Sequence, residues 1–403
     1  MGHVPDFHPH DARPLKGGRF LDTPLQSGFT KSVNVTLFGY PKTGKTTLFN
    51  LLAGTHVEVR AYDDGRKEPN VRTVHLPDPR FDRIAAAYPD KKKVAAAMDL
   101  VDLVGISFGE VKTSLFLDHL RRADGLAHVV RAFADPDIPP ARGRVDPVAD
   151  IRGMEEELVL ADLVLVDGRL ERLDRDLKKM RDPEAEKERE VLRKLRPLLE
   201  SGRGLRDLGL APAEEKLIRS FAFLTLKPLL HLINIDEKDL AKIREPEALL
   251  PSLAAPIGDT SRGCMSPSGR RILAFCGRIE SDLAGLEAEE ERRAFQAEYG
   301  LTELSAPLFA AQAVAFLDRV SFFTVGKDEV RAWTVRRGAS AVEAAGAIHS
   351  DIAKGFIRAE VVPADELLRH GTLAHAKEAG AIRLEGKDYT VQDGDVIYFR
   401  FAP

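Results

Sequence analysis

Cysteine is scarce: two residues in 403, Cys264 and Cys276. That excludes a disulfide framework and fits a reducing compartment. An excess of one charge is also missing. With a formal net charge of −4, the chain has no global pull toward nucleic acid or an anionic membrane, so any such contact must come from a local patch. No apolar run approaches the roughly 20 residues of a membrane span, and the first residues lack the apolar segment of a secretory signal. A cytoplasmic protein with no membrane partner is therefore expected. What is present is a globular balance, 44% hydrophobic and 30% charged with mean hydropathy −0.20, long enough for two or three domains.

Residues 1–31 carry Pro, Gly, His and charge without periodicity and read as a loose arm. His3, His8 and His10 lack the Cys or carboxylate partners that would complete a metal site. Val33–Phe38 reads as a strand, with further short, mostly apolar strands at Met98–Val101, Ala127–Val130 and Leu229–Ile233. Their alternation with helical patterns predicts a mostly parallel α/β sheet.

Gly39-Tyr40-Pro41-Lys42-Thr43-Gly44-Lys45-Thr46, followed by Thr47, matches G-x-x-x-x-G-K-[ST] at every fixed position. Glycines let backbone N–H groups turn inward around phosphates. The following helix aims its positive end at the anion. Lys45 reaches the terminal phosphates and stabilises them, and the Thr46 hydroxyl serves Mg²⁺. Asp102-Leu103-Val104-Gly105 follows a strand, which suits Asp102 to the Mg²⁺ shell and Gly105 to a γ-phosphate contact. Asn234-Ile235-Asp236-Glu237 stands where GTPases of this fold place N-K-x-D. Ile235 replaces the Lys and Glu237 the guanine-reading Asp, which disfavours guanine. The expected ligand is a purine triphosphate, ATP before GTP, with Mg²⁺. No residue is singled out as the general base.

Residues 147–226 differ in texture. Ile151, Met154, Leu158, Ala161 and Leu165 step by three and four. After a slip of one residue, Val166, Leu170, Leu173, Leu177 and Met180 continue. Arg181-Asp182-Pro183 breaks the run, and Val191, Leu195 and Leu198 fold back. This predicts an antiparallel helical hairpin whose first helix is about 45 Å long, either a partner-binding arm or plain packing. After Asp318, strand patterns at Ser321–Val325, Glu329–Val335, Ile357–Val362, Ile382–Leu384 and Asp395–Phe401 surround a helix over Ser340–Lys354. They predict a small separate α+β domain. The expected division is a G domain at 32–146 and 227–318, the hairpin insertion at 147–226 and the small domain at 319–403. Lys91-Lys92-Lys93 reads as a solvated turn, and Phe322, Phe323, Trp333, Tyr398 and Phe399 as mostly core. Residues 321–403 hold 11 Lys+Arg against 12 Asp+Glu, unlike a strongly basic RNA-binding module. Arg331, Arg336, Arg337 and Arg358 make a basic face only if they cluster.

Several stretches together resemble the Obg-related YchF family, the Obg-like ATPases. They are Glu68-Pro69-Asn70, Leu76-Pro77-Asp78-Pro79-Arg80, His128-Val129-Val130-Arg131 and Val145-Asp146-Pro147-Val148-Ala149-Asp150. To these add Asn234 to Glu237, Cys276-Gly277-Arg278-Ile279-Glu280, and, in the C-terminal segment, Lys354-Gly355-Phe356-Ile357-Arg358-Ala359-Glu360 and Leu384 to Asp395. The resemblance covers nearly all of residues 33–403. It implies a G domain, a coiled-coil insertion and a C-terminal TGS domain of β-grasp fold. It further implies ATP preferred over GTP, Asn234, Ile235, Glu237 and Cys276 around the base, and association with the ribosome or RNA through the TGS unit and hairpin. Departures concern turnover: Lys42-Thr43 in the P-loop, Arg66 where switch I carries a Thr, a shorter switch II over Ile106–Lys112, and Pro140 where the family offers a His. An ATPase and a nucleotide-gated binder with little turnover both remain open, with a GTPase switch third.

Overall fold

The computed structural model describes residues 33–55, 69–103, 105, 114–206, 208–250, 271–301 and 304–402. The N-terminal arm with its three His, Arg66, Glu68, Val104, the Ile106–Lys112 segment and Cys264 lie outside the described residues.

The chain runs β1 (Val33–Phe38), α1 (Lys45–Ala53), β2 (Asn70–His75), α2 (Pro79–Ala86), β3 (Lys92–Val94), β4 (Ala97–Asp102), α3 (Ser114–Arg122) and β5 (Gly125–Ala132). Next come α4 (Pro147–Asp176), α5 (Pro183–Glu200), α6 (Pro212–Ile218), β6 (Leu229–Ile235), β7 (Arg271–Phe275), α7 (Gly277–Gly285), α8 (Glu289–Glu298) and α9 (Ser305–Phe316). The first sheet has the order β2-β4-β1-β5-β6-β7. Every pair is parallel except β2 with β4. Strands covered on both faces read as apolar runs, and all seven residues of β6 are buried.

The helical insertion starts and restarts on the same chemistry. Asp146 and Asp182 cap α4 and α5 by accepting from backbone N–H groups, each followed by Pro at the first helical position, where the missing N–H costs nothing. The two helices pack through Val166, Leu170, Leu173, Leu192 and Leu195. The hairpin is rooted in the sheet domain, because Met154, Leu158 and Ala161 of α4 share a core with Phe38, Tyr40 and Leu126. The apolar stripe does not extend as far as expected. The helix stops at Asp176, and Met180 is 73% exposed.

The remaining elements are β8 (Arg319–Val325), β9 (Glu329–Arg336), α10 (Ala341–Ile348), α11 (Ser350–Lys354), β10 (Phe356–Pro363), α12 (Ala364–His370), α13 (Leu373–Glu378), β11 (Arg383–Glu385) and β12 (Asp395–Phe401). The second sheet has the order β11-β10-β12-β8-β9-β3. Parallel β8 and β12 lie at its centre, flanked by antiparallel β9 and β10. This is β-grasp connectivity with one strand added. That strand corrects the reading of Lys91-Lys92-Lys93: β3 pairs in parallel with β9, and the Lys91 ammonium donates to the Gly326 carbonyl. The single helix expected over Ser340–Lys354 is two, parted at His349, where φ is −161°. Tyr398, expected in the core, is exposed.

The two sheets are welded together. One core cluster runs from Val35 and Phe49 through Phe81 to Phe323, Val362 and Val396. Asp78 caps α2, and Arg80 bridges it to Asp393 of the C-terminal sheet at 2.8 Å to each.

Candidate nucleotide site

The loop between β1 and α1 is held in a shape that side chains resist. Gly39 has φ +142° and Gly44 φ +94°. A Cβ on Gly39 would stand 2.5 Å from the Val129 carbonyl oxygen. Lys42 adopts φ +61° without being glycine, a strain that clusters at functional sites. The Lys45 ammonium turns back into the loop, donating to the Tyr40 carbonyl at 2.7 Å and the Gly39 carbonyl at 3.3 Å. Thr43 Oγ1 also donates to Tyr40 O, at 3.2 Å. Among the predicted contacts, Tyr40 offers only its backbone, because its ring is buried in the core under α4.

Side chains from α1 and β2 converge on Asp102 at the end of β4. Thr46 Oγ1 donates to its Oδ2 at 2.9 Å, and Asn70 Nδ2, from β2, reaches the same oxygen at 3.4 Å. The other oxygen, Oδ1, is buried without a partner. Burial pushes the Asp102 carboxyl up, against the lowering effects of Thr46, Lys45 and Asn70. A buried carboxylate with one free oxygen beside a hydroxyl suits a hard cation that takes oxygen ligands and completes its shell from phosphates and water. Thr46 and Asp102 therefore fit Mg²⁺. Gly105 lies against this group: a Cβ there would meet the Pro41 backbone and approach the Lys45 ammonium.

At the base end, Asn234 does something the sequence does not announce. Its amide donates to Thr43 O at 3.1 Å and accepts from Gly277 N–H at 3.0 Å. It ties the phosphate loop to the start of α7, so its side chain is committed to the scaffold. Ile235 is buried in the core with Cys276, leaving only its main chain for a ligand. Burial pushes the Cys276 thiol up. Glu237, at the position that reads guanine in GTPases, pairs with Arg278 at 3.1 Å. Thr47 lies against Gly277 through its methyl group.

Sequence reasoning missed Asn70 as a neighbour of the metal position and Arg278 as the partner of Glu237. It also missed a buried chain on the face of the sheet under α4. His128 Nδ1 and His231 Nδ1 are 3.2 Å apart across β5 and β6, and His231 Nε2 lies 3.4 Å from Glu155 of α4. The signal was present as two His in strand segments, but only the strand register brings them opposite each other.

A strand, a glycine-hinged phosphate loop, a helix, and an Asp at the end of the neighbouring parallel strand define a P-loop nucleotide-binding domain of the GTPase class. In agreement, residues 34–192 match a family model described as "50S ribosome-binding GTPase". Residues 320–402 match the model for the C-terminal domain of YchF GTPases, described as "Protein of unknown function (DUF933)". The chain is 39% identical over 369 residues to the "Ribosome-binding ATPase YchF" of Bacillus subtilis, covering 91% of this chain and 98% of that one. It is 33% identical over 384 residues to "Obg-like ATPase 1" of Oryza sativa subsp. japonica, covering 94% and 95%. The structure of the Schizosaccharomyces pombe YchF GTPase superposes with a TM-score of 0.73 at 27% identity, covering 93% of this chain and 99% of that one. The protein belongs to the YchF/Obg-like ATPase family. No helix among the described residues is long and apolar enough to cross a membrane.

Proposed function

We propose that this protein binds ATP in preference to GTP with Mg²⁺, hydrolyses it, and associates with the ribosome in the cytoplasm. The observation that carries the base preference is the Glu237–Arg278 pair. A guanine-reading carboxylate must accept from the ring N1–H and the exocyclic amino group, whereas this one is already engaged by a guanidinium and stands one methylene further out than an Asp. Adenine would then be met by the main chain after Asn234. Lys45 and the loop amides would hold the phosphates, with Thr46 and Asp102 on Mg²⁺. The bound ion would neutralise phosphate charge, the main electrostatic need of phosphoryl transfer. Ribosome association rests on relatives named for it.

Pro140 favours a second reading, a nucleotide-gated binder with negligible turnover, because its ring can neither donate nor move a proton. Calorimetry with ATP and GTP in Mg²⁺, followed by phosphate release over hours, separates the readings. Steady release with ATP supports the hydrolase. Tight binding without release supports the gated binder, and tighter GTP than ATP binding overturns the base assignment. Lys45→Ala is expected to abolish binding of both nucleotides. Unchanged affinity would remove the phosphate-loop assignment itself.

A further inference from the structure

The loop between β5 and α4 is pinned at both ends. At its start, Arg131 donates from Nε to the Phe133 carbonyl at 3.1 Å and from Nη2 to the Ile138 carbonyl at 2.7 Å, with its guanidinium 4.3 Å over the Phe133 ring. Near its end, Arg142 pairs with Asp150 in the first turn of α4 at 3.4 Å and donates to the Ala149 carbonyl at 3.3 Å. The same guanidinium lies 5.6 Å over the ring of Tyr40, within cation–π range. Tyr40 is 2% exposed and shares a core with Met154, Leu158 and Ala161 of α4. Its hydroxyl is buried without a partner, so the ring is held by its faces and not by its polar tip. The carbonyl of Tyr40 is where Lys45 and Thr43 both donate. One residue of the phosphate loop thus has its side chain in the root of the hairpin and its carbonyl on the phosphate lysine.

We infer that Arg142 and Tyr40 are positioning residues for Lys45, and that through them the root of the hairpin and a bound nucleotide bias each other. The inference rests on the reading of Lys45 as the phosphate lysine proposed above. A lysine that neutralises phosphates must trade carbonyl oxygens for phosphate oxygens, so the Lys45 ammonium has two sets of acceptors. How readily it leaves the first depends on where the Tyr40 carbonyl sits. That position is set by a ring gripped between Arg142 and α4. The two arrangements of Lys45 supply the two-state element that coupling between separate sites requires. Coupling is reciprocal: if nucleotide shifts the hairpin root, whatever holds the root shifts nucleotide affinity by the same factor. Plain packing would also bury residue 40. An aliphatic side chain would serve that purpose without burying an unpaired hydroxyl, and it would offer Arg142 no ring face.

The test uses the full chain, with ATP affinity in Mg²⁺ read by calorimetry and amide hydrogen exchange over residues 147–158 read with and without ATP. In the wild type, ATP is expected to change exchange over this root. Arg142→Ala is expected to weaken ATP binding about fivefold, the low end of typical couplings, and to remove the exchange response. Tyr40→Leu, which fills the core without a ring face, is expected to do the same. The double variant is expected to bind no more weakly than either single one, because residues that act as a unit are not additive. Tyr40→Phe keeps the ring and is expected to keep the exchange response. Arg144→Ala, in the same loop but paired with Asp146 at 3.6 Å, is the matched control and is expected to bind ATP as the wild type does. Melting temperatures without nucleotide show that the variants fold. Should Arg142→Ala not fold, Arg142→Lys keeps the charge beside Asp150 and loses the planar contact, with the same outcomes expected. The inference is overturned if Arg142→Ala binds ATP as tightly as the wild type, if ATP leaves exchange over 147–158 unchanged in the wild type, or if the response survives in Arg142→Ala. Additive losses in the double variant mean two independent packing contacts and overturn it too. Wild type with no ATP affinity is a separate failure, which removes the nucleotide reading and this inference with it.

Discussion

Asn234 shows how one buried amide fixes a site without touching its ligand. Its two hydrogen bonds hold the Thr43 carbonyl and the Gly277 N–H, and a Cβ on Gly44 would run into the same amide. Removing a buried partner leaves both backbone groups unsatisfied. Asn234→Ala is therefore expected to lower stability by about 2 kcal/mol in urea unfolding without nucleotide and to weaken nucleotide binding by loosening the loop. His128 makes a different demand. Burial, then the neighbouring His231 and Lys45, hold its pKa well below 6.5, with Glu155 opposing. As an acceptor, the Glu155 carboxylate sets His231 with its proton on Nε2, so His128 donates from Nδ1. A His that stays neutral when folded but protonates when unfolded makes stability fall as pH drops below 6.5 toward the folded-state pKa, where the slope levels off. His128→Gln is expected to flatten that part of the pH–stability curve. Urea midpoints for both proteins at pH 7.5, 6.5 and 5.5 would show it, and parallel curves would refute it.

Among elements, α4 is anchored by Asp162. This carboxylate, fully buried, accepts from Leu224 N–H, Thr225 N–H and the Thr225 hydroxyl at 2.8–2.9 Å. Burial raises its pKa, and these three donors oppose the rise. Asp162→Ala strands all three donors and is expected to cost about 3 kcal/mol, read as a lower urea midpoint. Asp162→Asn, which keeps an acceptor, is expected to cost less. These elements also show what sequence could and could not reveal. Asp-Pro pairs at 78–79, 146–147 and 182–183 begin three helices because their capping chemistry is local. The P-loop was legible for the same reason, being a contiguous run. The break at His349 was hidden because the residues on both sides keep a helical composition. The Met180 register continued past the helix because periodicity carries no information about whether a partner surface is still there. Lys91-Lys92-Lys93 looked like a turn because its strand partner, Glu329–Arg331, is far along the chain. The Glu237–Arg278 pair and the two buried histidines likewise depend on neighbours that only the sheet order supplies.

The whole molecule carries two sheets on one continuous core, not two beads on a tether. Phe81 of α2 stacks on Phe323 of β8 at 6.3 Å, and the Arg80 guanidinium lies 5.7 Å over the same Phe323 ring. Burial raises the Asp393 carboxyl, but the Arg80 hydrogen bond, the Ser321 N–H and nearby positive charge outweigh it, leaving its pKa below the usual 3.8. The sign for a depressed acid is that its contribution is present above pH 3.8 and is lost only as pH falls through the lower folded value. The clamp therefore operates throughout the neutral range. Arg80→Ala removes it together with the ring contact and is expected to cost about 1–2 kcal/mol, seen as a lower melting temperature. Calorimetry is expected to show the two sheets melting in one transition. Separate transitions for the G domain and the C-terminal sheet would contradict a shared core.

The strand β3 has a consequence in time. Val94 reaches its position only by pairing beside Arg331 of β9, about 240 residues later. At about 5–20 residues per second, a nascent chain waits roughly 10–50 s between making one and making the other. Throughout that interval Phe81 lacks its stacking partner Phe323 and the β3 edge lacks β9, an exposure that invites association with other chains. A strand made early is thus completed only by one made about 240 residues later, so this part of the fold waits on the C-terminal sheet.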